Sequence, residues 1–135
     1  MIVLLDSNII MDALQERQPF DAPAKEIMRK AHGREITCCI TANAVADIFC
    51  LFKKARNLQS ARSALEYLLK NYCIVAVTQE DCLNALSLPI IDFEDALVAI
   101  CAKKAAADYI VTRDEKFLHD ELPVPAISPN ELLII

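Results

Sequence analysis

The chain has 135 residues, 55% hydrophobic and 24% charged, with a net charge of −5. This length predicts one domain, residues 1–135, with one buried core, and the composition excludes an intrinsically disordered chain. No apolar run approaches the roughly 20 residues of a membrane span. No basic stretch followed by a long apolar segment marks a signal peptide. We therefore expect a cytoplasmic protein with no membrane association.

The net negative charge also limits how the protein can bind nucleic acid. Binding by bulk electrostatics needs a basic footprint, which a chain of net charge −5 does not supply. A nuclease remains compatible with this charge if metal ions neutralise several of its carboxylates.

Glycine and cysteine usage excludes two further kinds of site. Gly33 is the only glycine, so no glycine-rich loop can bring the backbone close to a phosphate or dinucleotide. No C-x-x-C pair occurs, and His32 and His119 lack finger-like spacing, so we expect no zinc site. We expect the cysteines to be reduced and most to pack as small core hydrophobes, because they lie in apolar runs. The six are Cys38, Cys39, Cys50, Cys73, Cys82 and Cys101.

Short apolar runs alternate with longer helical patterns along the chain. In order, the sequence predicts strand 2–5, helix 7–15, helix 22–31 ending near Gly33, strand 36–40, a helix from the cap Thr41 to about residue 55, helix 60–72, strand 73–77, helix 79–86, helix 93–106, strand 109–112, a short strand near 126–127 and a last turn opened by Ser128 and Pro129. The strands are continuous apolar runs, as in sheets buried on both faces. We therefore predict a three-layer α/β/α sandwich with a central, mostly parallel sheet of four to five strands.

Acidic residues fall where such a fold places ligands. Asp6 follows the first strand directly, and Asp114 comes two residues after the fourth. Ligands of parallel sheets bind outside the carboxyl ends of the strands. Asp47 lies in the helix after the second strand, while Asp92 and Asp95 open another helix three residues apart and share a face. We expect Asp6, Asp95 and Asp114 to converge in one pocket, with Asp47 at its edge.

Clustered carboxylates point to a divalent cation. Like charges at short range raise one another's pKa or recruit a cation, and ligands that are all oxygen favour Mg²⁺ or Mn²⁺. Each acid also has a purely structural explanation. Asp6 and Asp92 can be N-caps, Asp47 can lie on a solvated face, and Asp114 can cap the turn that follows it.

Three segments resemble the PIN-domain family, and together they span nearly the whole chain. Residues 4–12 (LLDSNIIMD) are similar to its opening strand and first acid, and residues 92–97 (DFEDAL) to its third acid at a helix start. Residues 109–117 (YIVTRDEKF) resemble its closing Thr-x-Asp-x-x-Phe motif. The resemblance implies an α/β/α sandwich that acts as a Mg²⁺- or Mn²⁺-dependent endoribonuclease on RNA.

The resemblance also implies which residues carry the chemistry. Asp6, Asp95 and Asp114 match the family's catalytic, metal-binding acids. The second acid of the family is usually Glu, whereas this chain has Asp47, which is one methylene shorter and can act through a water. Supporting roles are expected for three neighbours, which can orient the carboxylates or an ordered water: Asn8, Asp92 and Thr112.

Asn8 and Thr112 also have structural explanations, in the first helix turn and at the strand end. Two other nearby acids, Asp12 and Glu94, are expected to be solvated and outside the site.

The stretch 48–65 contains no acid and is the one sizeable basic segment. It can contact RNA phosphates or form a solvated face, through Lys53, Lys54, Arg56 and Arg62. The neighbouring Phe49, Phe52 and Tyr67 are expected to pack in the core or at a homodimer interface. PIN-like proteins of this size often act as the toxin of a toxin–antitoxin pair, so an antitoxin is a possible partner. A free-standing nuclease is one alternative, and a catalytically weak RNA- or protein-binding scaffold is another.

Overall fold

A computed structural model describes all 135 residues. The five strands are β1 (Ile2–Leu5), β2 (Thr37–Thr41), β3 (Cys73–Val75), β4 (Tyr109–Val111) and β5 (Ala126–Ile127). The eight helices are α1 (Ser7–Leu14), α2 (Asp21–His32), α3 (Ala42–Ala55), α4 (Leu58–Asn71), α5 (Gln79–Leu86), α6 (Phe93–Lys104), α7 (Glu115–Leu118) and α8 (Pro129–Leu133).

The five strands form one parallel sheet in the order β3-β2-β1-β4-β5. The first strand is therefore central, and Val3 lies opposite Cys38 on one side and Tyr109 on the other. The chain first builds outward from β1 to β3 and then crosses to the other side of β1 with β4. This reversal lies between β1 and β4, which is where sheets of this type bind ligands, at the carboxyl ends of their strands.

Both faces of the sheet are covered by helices, which confirms the predicted three-layer sandwich. Side chains alternate along β1, so Val3 and Leu5 pack in a cluster with α1 to α4 and α8. Leu4 points to the opposite face and packs with α5, α6 and α7. The central strands β1 and β4 bury both their faces, which explains why they are continuous apolar runs in the sequence. None of the helices combines the length and apolar character needed to cross a membrane.

Some local expectations need correction. Helix α7 was not predicted, because its four residues are too few for a helical period to be visible. Cys38, Cys39 and Cys101 are buried as expected, but Cys50 and Cys73 are exposed. Cys50 lies on the outer face of α3 and Cys73 opens the edge strand β3. An apolar run therefore does not guarantee burial at the edge of a layer.

The aromatic residues near the basic segment pack into the core. Phe52 is buried in the cluster on the α1 side of the sheet, and Phe49 and Tyr67 pack against that cluster.

Candidate active site

Two acids meet where the strand order reverses. The N–H of Asp6 donates a hydrogen bond of 3.0 Å to the carbonyl of Val111, which fixes the end of β1 beside the end of β4. Asp6 then takes the N-cap position of α1, although its carboxylate accepts no capping hydrogen bond there.

Thr112 connects the two strand ends through its hydroxyl. This side chain is completely buried, and its Oγ1 donates a hydrogen bond of 2.9 Å to Oδ2 of Asp6. The same oxygen accepts a hydrogen bond of 3.1 Å from the N–H of Asp114. One hydroxyl therefore links the Asp6 carboxylate to the backbone of Asp114.

Asp95 joins these acids from the first turn of α6. Its N–H donates a 3.1 Å hydrogen bond to Oδ1 of Asp92, which is the N-cap of the helix. Burial, followed by the negative charges of Asp92, Asp6 and Asp114, raises the pKa of Asp95 to about 7. Asp95 is therefore close enough to Asp6 and Asp114 for their negative charges to raise its pKa.

The pKa of Asp6 is also above its usual range. Burial is the main cause, and the charge of Asp114 adds to it, whereas the hydrogen bond from Thr112 acts in the opposite direction. A carboxylate that is buried and repelled by a neighbour is stabilised by a nearby cation.

Asp47 is linked to this arrangement only through its charge, which acts on Glu94. Both residues are exposed. Partial burial and then the charges of Asp47 and Asp6 raise the pKa of Glu94. Glu94 is exposed, as expected for a solvated acid, but it also lines the acidic cleft and is repelled by the charges of Asp47 and Asp6. Its position, one residue before Asp95, is the sequence signal for this.

Asp95 and Asp114 line a cleft of about 600 Å³, whereas Asp6 and Asp47 are not part of its lining. Its acidic lining is Asp92, Glu94, Asp95, Asp114 and Asp120, and Lys116 is the only basic side chain in it. No three acidic, histidine or cysteine side chains come close enough to hold one ion together. Asp114 is the N-cap of α7 and accepts a 3.0 Å hydrogen bond from the N–H of Lys116.

The donor chemistry of the cleft nevertheless fits a hard divalent ion. All its candidate ligands are carboxylate oxygens, which Mg²⁺ and Mn²⁺ favour. Burial first, and repulsion between the acids second, raise the pKa values of Asp6 and Asp95, and a cation would offset both effects.

The side chain of Asn8 does not contact the acids, although its backbone contributes to lowering the pKa of Asp6. Asn8 is exposed, and its side chain forms no hydrogen bond with the protein.

The expectation that Asp12 is solvated was wrong. Its side chain is 1% exposed and accepts two hydrogen bonds from Arg113, the residue between Thr112 and Asp114. The sequence held a signal for this pair, because Asp12 is the only acid inside the apolar stretch 9–13 of α1. A lone acid in such a stretch calls for a buried partner.

The structure is a parallel α/β/α sandwich with acidic residues at the point where the strand order reverses. The family model described as PIN domain matches residues 2–116. The chain belongs to the PIN domain family. No curated protein matches it.

Solved structures share this fold at low sequence identity. The chain is similar to VapBC2 from Rickettsia felis bound to a promoter DNA fragment, with 19% identity, 95% of this chain and 98% of that chain covered, and a TM-score of 0.69. It is similar to DNA-bound VapBC from Salmonella typhimurium, with 13% identity, 96% and 98% covered, and a TM-score of 0.70. It is also similar to VapC20 from Mycobacterium tuberculosis, a sarcin-ricin loop cleaving toxin, with 13% identity, 85% and 92% covered, and a TM-score of 0.69.

Proposed function

We propose that the protein is a metal-dependent endoribonuclease that hydrolyses RNA phosphodiester bonds at the acidic cleft. The observation that carries this proposal is the link at the strand ends, where the Thr112 hydroxyl donates to the Asp6 carboxylate and accepts from the N–H of Asp114. Burial and the charges of Asp92, Asp6 and Asp114 also raise the pKa of Asp95 to about 7. Carboxylates held together at this cost are typical of functional sites. Membership of the PIN domain family supports a nuclease in particular.

Three acids would hold Mg²⁺ or Mn²⁺: Asp6, Asp95 and Asp114. Such an ion lowers the pKa of a bound water and stabilises the charge that develops during phosphoryl displacement. Thr112 occupies Oδ2 of Asp6 and so orients this carboxylate. Asp92 holds the first turn of α6 and thereby places Asp95.

Asp47 and Glu94 extend the acidic surface at one side of the cleft. Asp47 is exposed and one methylene shorter than the glutamate typical of the family, so we assign it an outer role, through a water. The charges of Asp47 and Asp6 both contribute to the raised pKa of Glu94, and Glu94 lines the cleft. We therefore add Glu94 to the candidate residues.

RNA as the substrate is supported by the surface and by one relative. Four exposed basic residues lie at the junction of α3 and α4 and none forms an ion pair: Lys53, Lys54, Arg56 and Arg62. They can contact the phosphates of an approaching strand. In the cleft itself, Lys116 can contact a phosphate beside the acids. VapC20 is described as a toxin that cleaves the sarcin-ricin loop.

We further propose that the protein acts as the toxin of a toxin–antitoxin pair, with an antitoxin protein as partner, and forms a homodimer. Several similar structures are toxin–antitoxin complexes, which supports such a partner. Exposed apolar side chains beside the cleft, Ile91 (99% exposed) and Phe93 (44%), offer contact area near the acids.

Cleavage of an end-labelled RNA in Mn²⁺, Mg²⁺ and EDTA tests the proposal. We expect wild type to cut RNA only with a divalent ion, and Asp6→Asn and Asp114→Asn to be inactive. Glu66→Gln, which alters an exposed acid on α4, serves as the control and should cut like wild type. A DNA strand of the same sequence tests substrate class. Wild-type protein that binds RNA but never cuts it, in any ion, would favour the scaffold and refute the nuclease.

A further inference from the structure

We infer that Asp12 and Arg113 form a positioning pair, which holds the turn carrying Thr112 and Asp114 against helix α1 in the geometry that the site needs. This inference rests on the proposed function. Nε of Arg113 donates a 2.7 Å hydrogen bond to Oδ2 of Asp12, and Nη2 donates one of 3.1 Å to Oδ1. Two parallel hydrogen bonds fix both distance and orientation, which a single point charge would not.

Two further contacts hold the pair from other sides. Nη1 of Arg17 lies 3.6 Å from Oδ1 of Asp12. Cζ of Arg113 lies 4.1 Å from the ring centroid of Phe20, within the range of a cation–π interaction. The guanidinium is therefore restrained within its plane by Asp12 and across its face by Phe20.

The pair connects the two chain segments that carry the strand-end acids. Asp12 belongs to α1, the helix that begins immediately after Asp6. Arg113 stands between Thr112, whose hydroxyl binds Asp6, and Asp114. The ion pair thus spans 101 positions of sequence and closes a second link, parallel to the Thr112 hydrogen bond, between the Asp6 and Asp114 segments.

Stability alone does not account for this pair. Asp12 is almost completely buried, and removing a carboxylate from water costs free energy that its partner only partly returns. Two apolar side chains of similar size commonly stabilise a protein as well as such a pair does. What an apolar pair cannot supply is the fixed direction of a two-point hydrogen bond. The pair therefore acts on the orientation of the turn, through Arg113.

The decisive experiment replaces the pair with apolar side chains. Asp12→Leu and Arg113→Met are made singly and together, and each protein is measured for Tm, for the Mn²⁺ concentration that half-saturates its thermal shift, and for kcat and KM on RNA. We expect each single variant to lose Tm and the double variant to regain it. In the double variant kcat should nevertheless fall about 100-fold, because small displacements at a site are costly. The Mn²⁺ concentration that half-saturates the thermal shift should rise about tenfold. The KM for RNA should change less than about threefold.

A matched control uses the other buried acid that forms an ion pair. Asp81 is 6% exposed and pairs with Lys104 away from the cleft. Lys104→Met should lower Tm but leave kcat and the Mn²⁺ response unchanged. Arg113→Lys keeps the charge but loses the two-point geometry, so it should lose Mn²⁺ affinity while folding like wild type. If Arg113→Lys or the double variant binds Mn²⁺ and turns over like wild type, the positioning role is refuted.

Asp6→Asn, included in the same series, separates this inference from the proposed function. An Mn²⁺ response and cleavage equal to wild type in Asp6→Asn would overturn the nuclease site itself. Impairment of Asp6→Asn together with a fully active double variant would overturn only the positioning pair.

Discussion

Replacement of Asp95 by asparagine is expected to stabilise the metal-free protein at neutral to alkaline pH while abolishing RNA cleavage. The pKa of Asp95 is about 7 in the folded protein, against 3.8 for an unperturbed aspartate. Folding therefore favours the protonated form. The stability associated with this proton is fully present below about pH 4 and is lost as the pH rises through about 7.

The size of the effect follows from the pKa difference. A shift of about 3 units at about 1.36 kcal/mol each gives an upper bound on the order of 4 kcal/mol. Asp95 is only partly buried, and solvent screening reduces this to ~2 kcal/mol. In a protein of this size 1 kcal/mol corresponds to about 3–5 °C in Tm, so the expected difference is about 6–10 °C.

Thermal melts of wild type and Asp95→Asn in EDTA, at several values between about pH 5 and pH 8, measure this difference. Other carboxylates titrate in both proteins, so the difference between the two Tm curves isolates Asp95. The variant should already melt slightly higher than wild type at pH 5, and the difference should grow as the pH rises to 8, because the curves converge only below about pH 4. Glu66→Gln is the control and should follow wild type throughout. Parallel curves for wild type and Asp95→Asn would refute the electrostatic description of the site.

Three further results are expected. At 100 times its Kd and pH 8, Mn²⁺ should stabilise wild type by about 2.7 kcal/mol and so raise its Tm. It should shift the Tm of Asp95→Asn much less, and equal shifts in calorimetry would argue against Asp95 as a ligand. Thr112→Val removes the hydroxyl between Asp6 and Asp114 and should cost about 1–3 kcal/mol in denaturant unfolding and weaken Mn²⁺ binding, whereas an unchanged Mn²⁺ affinity would contradict its orienting role. In native alkylation followed by mass spectrometry, exposed Cys50 should react quickly and Cys38 slowly, because burial raises the pKa of the Cys38 thiol to about 12; equal rates would contradict the packing.

The layered fold and most of its elements could be predicted because they depend on local patterns. A buried parallel strand is a continuous apolar run, as in β1, and a long amphipathic helix such as α3 repeats its pattern over several turns. The same patterns placed Asp6 and Asp114 after strands, and hence at one edge of the sheet. These features need no knowledge of distant partners.

The surroundings of Asp12 and Glu94 could not be predicted in this way. Whether Asp12 is solvated depends on Arg113, which lies 101 residues away in the sequence. Glu94 stands one residue from Asp95, and its coupling to Asp6 and Asp47 depends on how α6 and α3 approach β1. Hydrophobic periodicity describes one helix or strand at a time. The environment of an acidic side chain depends instead on the side chains that neighbouring elements place beside it.

The central position of the first strand has a consequence for the order of events during synthesis. A ribosome makes the N-terminal strand first, yet β1 pairs on one side with β4, where Val3 lies opposite Tyr109. Pairing over such a sequence separation is slow, because a long loop must close before any contact stabilises it. Asp6 therefore emerges early but lacks Thr112 and Asp114 until most of the chain has been translated. A nascent or truncated chain that stops before β4 cannot assemble the acidic cleft, so whatever chemistry the cleft performs begins only when the polypeptide is nearly complete.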